Sequence, residues 1–220
     1  MVTIHIYNHE TGKIETYNRD PNEPMPYNVA GTLRVKEFMQ GQQTGWTNVE
    51  TMRAWNNLRS HYGKPINVLD AFNAISLSSC PENEKYHLGL AFRLSCYDEN
   101  DLPALHAAAM ESEAFSFVGP LDKGVKSFEV DKRYMPGGAF LTEGLPPIIK
   151  GMENNYVLFI QSALNLYGYP LTVDGVFGPK TEAAVRQFQR DDFLTEDGVV
   201  GRLEWEALIN TSCLPEFRAC

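Results

Sequence analysis

Apolar and polar residues alternate from Val2 to Tyr7 and again from Ile14 to Asn18, on either side of a Gly12-containing stretch, Asn8 to Lys13. Period-two alternation around such a stretch predicts a β-hairpin. His5 and His9 fall in it and are expected to be exposed hairpin side chains. Pro21, Pro24 and Pro26 then interrupt regular structure. From Thr51 to Tyr62 the apolar positions Met52, Trp55, Leu58 and Tyr62 recur at helical spacing, so one face of a helix is buried, with Met52 and Trp55 in the core. Asn48 or Thr47 is its expected cap, Gly63-Lys64-Pro65 ends it, and Ile66 to Leu69 reads as the next strand. A polar loop over Leu77 to Glu84 leads to a strand over Leu88 to Leu94. Asn100 or Asp101 caps a helix with Pro103 in its first turn and Leu105, Ala108, Ala109 and Met110 along it. Phe115–Val118 and Ser127–Asp131 are further strands. The expectation is an α+β region, a small antiparallel sheet with helices on it, over residues 1–134. His61 and His106 sit on predicted helices and read as ordinary histidines.

Between Tyr134 and Asn155 the chain is rich in proline and glycine, and residues 135–145 read as a linker. Beyond it Val157, Ile160, Gln161 and Leu164 form a helical stripe closed by Gly168. Leu171-Thr172-Val173-Asp174-Gly175-Val176-Phe177-Gly178 then precedes a helix carrying Thr181, Ala184, Val185 and Phe188. Leu194-Thr195-Glu196-Asp197-Gly198-Val199-Val200-Gly201 precedes another, carrying Trp205 and Leu208. A loop-plus-helix unit repeated in this way predicts a compact all-α module of three helices over 146–212, followed by a tail over 213–220. The Asp-Gly pairs supply its tight turns.

With 43% hydrophobic and 21% charged residues, the chain belongs to the globular class. A net charge of −9 argues against nucleic acid as a partner, because phosphate binding requires a basic face. No apolar run is long enough to cross a membrane, and the first residues do not read as a signal peptide. The four cysteines, Cys80, Cys96, Cys213 and Cys220, show no C-x-x-C spacing. Cys80–Cys96 and Cys213–Cys220 stand as candidate disulfides, with the redox compartment left open.

The C-terminal stretch is similar to the bacterial peptidoglycan-binding domain. The similarity runs through Gln161, Leu164, Gly168, Asp174-Gly175, Phe177-Gly178, Thr181, Ala184-Val185 and Phe188-Gln189, and continues through Leu194, Asp197-Gly198, Val200-Gly201, Trp205 and Leu208. Glu204 stands where threonine is usual, a change of helix cap and not of fold. Most of these residues are caps, turns and core, Trp205 included. The resemblance implies peptidoglycan or its stem peptides as the partner, without naming contact residues.

Glu84 to Arg93 resembles the zinc segment S-x-H-x-x-G-x-A-x-D of the D-Ala-D-Ala carboxypeptidase and endopeptidase family. Gly89 and Ala91 are present, but Tyr86 holds the histidine position and Arg93 the aspartate position. In the family's later V-H-x-D segment, Glu129 replaces the histidine and Asp131 is kept. A zinc hydrolase needs three protein ligands and a water, and arginine stays protonated. The resemblance therefore implies a degenerate site with no cofactor, in which Arg93 and Glu129 pair where the metal would sit, with Tyr86 as a hydrogen-bond partner. The basic substrate anchor expected near Leu69–Ala74 is missing as well. An alternative zinc set is Cys80, His87, Cys96 and Glu129, although their spacing matches no known pattern. Three functions follow in order. The first is a wall-binding protein with an inactive peptidase-like domain, able to hold a peptide or a protein in the old cleft. The second is a divergent zinc peptidase acting on peptidoglycan. The third is a structural protein of a spore or extracellular assembly. The expected location is the cell wall or the exterior, after release from the cytoplasm by a route other than a recognisable signal peptide.

Overall fold

A computed structural model describes residues 1–28, 30–72, 88–122, 124–132 and 145–212. Strands β1 (Val2–Asn8) and β2 (Lys13–Arg19) form the expected hairpin. Val2, Ile4 and Ile6 face the core, as alternation requires. The Asn8 side chain closes the turn by accepting from the Glu10 N–H at 3.1 Å. A short helix, α1 (Val35–Met39), leads to β3 (Thr44–Asn48), which pairs with β1 in parallel. Sequence reading missed β3 because Thr44-Gly45-Trp46-Thr47-Asn48 offers a single apolar side chain and no alternation. Its glycine has a packing reason, since a Cβ at Gly45 would collide with the Met39 thioether.

Helix α2 (Val49–Tyr62) starts at Asn48, whose side chain accepts from the Thr51 N–H at 2.8 Å. It ends at Gly63, held at φ 74°. Met52, Ala54, Trp55 and Leu58 are its buried face. Strands β4 (Asn67–Asp70) and β5 (Ala91–Ser95) follow, and a 3-10 turn (Glu99–Asp101) opens α3 (Leu102–Glu111). The side chain of Asp98 caps that turn by accepting from the Asn100 N–H. β6 (Phe117–Val118) and β7 (Phe128–Asp131) complete a second sheet of order β4-β5-β7-β6. The single antiparallel sheet expected from sequence is therefore two sheets among the described residues, the first of them mixed. Met110 also departs from expectation. It is exposed, and the buried stripe of α3 is Leu102, Leu105, Ala108 and Ala109.

The last part of the chain carries helices α4 (Asn155–Leu166), α5 (Pro179–Asp191) and α6 (Arg202–Ser212). Asn154 caps α4 by accepting from the Val157 N–H at 3.0 Å. Short bridges, Ile148 to Val200 and Glu153 to Val176, bind the preceding segment to both Asp-Gly loops. Trp205 is core, as expected, and its indole N–H donates to the Pro146 carbonyl at 2.8 Å. The start of α4 also packs on the first sheet. Tyr156 is fully buried, its ring edge-on to Trp46 at 5.2 Å, and its hydroxyl faces the Thr47 carbonyl at 3.5 Å. His5, expected to be exposed, is half-buried and stacked on the same indole at 4.1 Å. Residues 133–144, which cover almost all of the expected linker, and 213–220, the expected tail, lie outside the described residues.

Candidate functional site

The two Asp-Gly loops are built by one device used twice. Gln161, buried in α4, donates through Nε2 to Asp174 Oδ1 (2.8 Å), the Val176 carbonyl (3.1 Å) and Thr181 Oγ1 (3.1 Å). Its Oε1 accepts from the N–H groups of Asp174 (3.0 Å) and Gly175 (2.9 Å). Gln189, buried in α5, repeats this with Asp197 Oδ1 (2.8 Å), the Val199 carbonyl (2.9 Å), Glu204 Oε1 (3.0 Å) and the Gly198 N–H (2.9 Å). Glu204 thus takes the place of Thr181. Its second oxygen accepts from the Gly201 N–H at 2.9 Å, so the substitution alters local bonding at the start of α6 while keeping the clamp. A buried amide must satisfy both its ends, and each loop is folded around that requirement. Sequence reading placed both glutamines in the family similarity but not in this role. The signal available was a glutamine on a buried helical face ahead of each Asp-Gly pair.

Each loop presents an oriented carboxylate. The Val176 N–H and then the Gln161 amide hold Asp174 below the usual aspartate range. The Val199 N–H and then the Gln189 amide do the same for Asp197. Beside the first loop lies a pocket of about 430 Å³ whose rim includes Thr172, Asp174, Val176 and Lys180. This rim offers a hydroxyl, a carboxylate, an ammonium and a small apolar surface to a ligand.

In the second sheet, Arg93 on β5 and Glu129 on β7 are direct cross-strand partners, and Arg93 Nη2 donates to Glu129 Oε1 at 3.0 Å. Both line a pocket of about 340 Å³ with Phe117, Gly119 and Pro120. Asp131 is fully buried two residues on from Glu129. Tyr86, His87 and Cys80 lie outside the described residues. Cys96 is a free, buried thiol on the core side, its sulfur 3.5 Å from the Tyr62 hydroxyl. Burial pushes that thiol up. Phe92, Leu94 and Cys96 face the core while Arg93 and Glu129 line the pocket, so strand alternation separates Cys96 from Glu129. The alternative zinc set is therefore not brought together by these two members. Among the described residues no group of three or more His, Cys, Asp or Glu could hold a metal ion. Arg93 and Glu129 do not fit zinc, because a permanent cation already engages the only carboxylate of the pair.

Residues 153–208 match the family model described as "Putative peptidoglycan binding domain". A curated relative, an uncharacterized protein encoded in the bpoA1 3' region of Kitasatospora aureofaciens, is 58% identical over 36 residues. That stretch is 16% of this chain and 30% of the relative, so the two share only a segment. Among solved structures, the SleB N-terminal domain is 36% identical, with 30% of this chain and 92% of that one covered and a TM-score of 0.29. A peptidoglycan-binding protein from Clostridioides difficile, in complex with glutamine hydroxamate, is 29% identical, with 43% of this chain and 57% of that one covered and a TM-score of 0.30.

Proposed function

We propose that this is a peptidoglycan-binding protein of the bacterial cell wall, in which residues 153–208 form the binding module. The observation that carries the reading is the family match over those residues. The paired glutamine clamps support it, since they keep both Asp-Gly loops in a fixed shape. The pocket beside Asp174 is the proposed contact surface. No helix among the described residues is long and apolar enough to cross a membrane.

The N-terminal part is proposed to be a peptidase-like domain without zinc chemistry. The Arg93–Glu129 pair supports that reading, because Arg93, which the resemblance aligns with a metal-binding aspartate, engages Glu129 with its guanidinium. The old cleft then serves as a holding or positioning surface for a peptide. Co-sedimentation with purified sacculi tests the whole reading. The protein should pellet with sacculi and release no new amino groups from them, with or without added zinc. Failure to pellet would remove the binding function, and zinc-dependent release of amino groups would restore the peptidase.

A further inference from the structure

Helices α4 and α5 end in the same cap. After α4 the Gly168 N–H donates to the Asn165 carbonyl and the Tyr169 N–H to the Leu164 carbonyl, both at 3.0 Å. After α5 the Phe193 N–H donates to the Arg190 carbonyl at 3.3 Å and the Leu194 N–H to the Gln189 carbonyl at 2.7 Å. The first residue of each pair is left-handed, Gly168 at φ 88° and Phe193 at φ 56°. Glycine fits that position, and a bulky side chain is strained there. Phe193 is moreover 96% exposed, so its ring returns almost no burial for the strain. A side chain that costs the fold and packs on nothing points to a contact made outside the fold.

The surroundings narrow the partner. Asp191 and Asp192, which precede Phe193 in the chain, are exposed. Asp191 is held by the Tyr169 hydroxyl, which donates to Oδ2 at 2.7 Å, and by Gln187 Nε2, which donates to Oδ1 at 2.9 Å. The neighbouring cation, Arg190, is engaged by Glu196 at 2.7 Å. This flank is anionic and would repel peptides ending in carboxylates. It offers an aromatic face next to acceptors for hydroxyl and acetamido N–H groups. We propose that Phe193 is a stacking platform for a pyranose ring of the glycan strand, with the carboxylate of Asp192 accepting a hydrogen bond from that sugar. This rests on the peptidoglycan-binding reading above and assigns it to the glycan and not to the stem peptide.

The test compares the full chain with Phe193→Gly and Phe193→Trp on intact sacculi and on sacculi stripped of peptides by an amidase. Wild type should bind both preparations. Phe193→Gly should bind roughly tenfold more weakly while its Tm rises, because glycine relieves the left-handed strain. Phe193→Trp should retain binding. Wild-type affinity in Phe193→Gly, or binding that vanishes with the stem peptides, overturns the platform. If wild type fails on intact sacculi, the binding reading itself is lost, which is a different result from either of these. A Tm that falls in Phe193→Gly would show that the ring serves the fold after all.

Discussion

Gln189 shows how much of the C-terminal structure depends on single polar side chains. It is fully buried and bonds to Asp197, Gly198, Val199 and Glu204. Gln189→Ala would leave several of these groups without partners inside the protein, and each such group costs about 1–3 kcal/mol. Partial rescue by water reduces the sum, so a loss of roughly 2–5 kcal/mol is expected in denaturant unfolding. The same clamps give the loops an acid limit. The folded values of Asp174 and Asp197 lie below their ordinary value of 3.8, first because of the Val176 and Val199 N–H groups. Their contribution is thus complete above the ordinary value and is lost as pH falls through the depressed folded values. A Tm–pH profile should fall less steeply in acid for Asp174→Asn than for wild type. Parallel profiles would mean that the loop carboxylate does not help hold the fold.

At the scale of elements, Gly89 joins the two sheets. It lies just before β5 at φ 65°, and a Cβ there would come within 1.8 Å of the Trp46 carbonyl oxygen on β3. Its own carbonyl accepts from Thr47 Oγ1 at 2.7 Å. Gly89→Ala therefore combines left-handed strain with a backbone collision, and a loss of roughly 2–5 kcal/mol is expected in chemical denaturation. A loss below about 1 kcal/mol would mean that β3 and β5 separate easily. Arg93 stands in contrast. Its side chain is 40% exposed, so Arg93→Ala should change stability by only about 0–1 kcal/mol. These elements also mark what sequence could reveal. The hairpin, α2 with its Asn48 cap, and the strands at Ala91–Ser95 and Phe128–Asp131 were legible, because alternation and helical spacing are local properties. The parallel strand β3 was not, because its place is set by contacts with β1 and Gly89 far along the chain. The cross-strand meeting of Arg93 and Glu129 was legible only through a family pattern, since nothing local brings positions 93 and 129 together. Phe193 left no mark in any periodicity, because what sets it apart is a left-handed backbone angle joined to an almost fully exposed ring.

For the whole molecule, the decisive contact runs through one indole. Trp46 is stacked by His5 and met edge-on by Tyr156, so the first sheet and the first C-terminal helix share a buried aromatic group. Tyr156 also lies 6.2 Å from Trp205, which carries the contact into the heart of the three helices. Two units joined only by a tether would unfold independently, whereas units sharing a buried ring unfold together. Tyr156→Ala would open a cavity between Trp46 and Trp205 and is expected to cost about 3–5 kcal/mol. The hydroxyl contributes little, because 3.5 Å is long for a hydrogen bond, so Tyr156→Phe should fall within about 1 kcal/mol of wild type. Calorimetry distinguishes the two architectures. Wild type should give one endotherm, and Tyr156→Ala should split it, with the C-terminal helices and the N-terminal sheets melting apart. Two endotherms already present in wild type would mean that the aromatic bridge does not couple them. Residues 153–208 would then act as a free domain on a tether. A single shared transition would instead tie the orientation of the pocket beside Arg93 and Glu129 to that of the loops around Asp174 and Asp197.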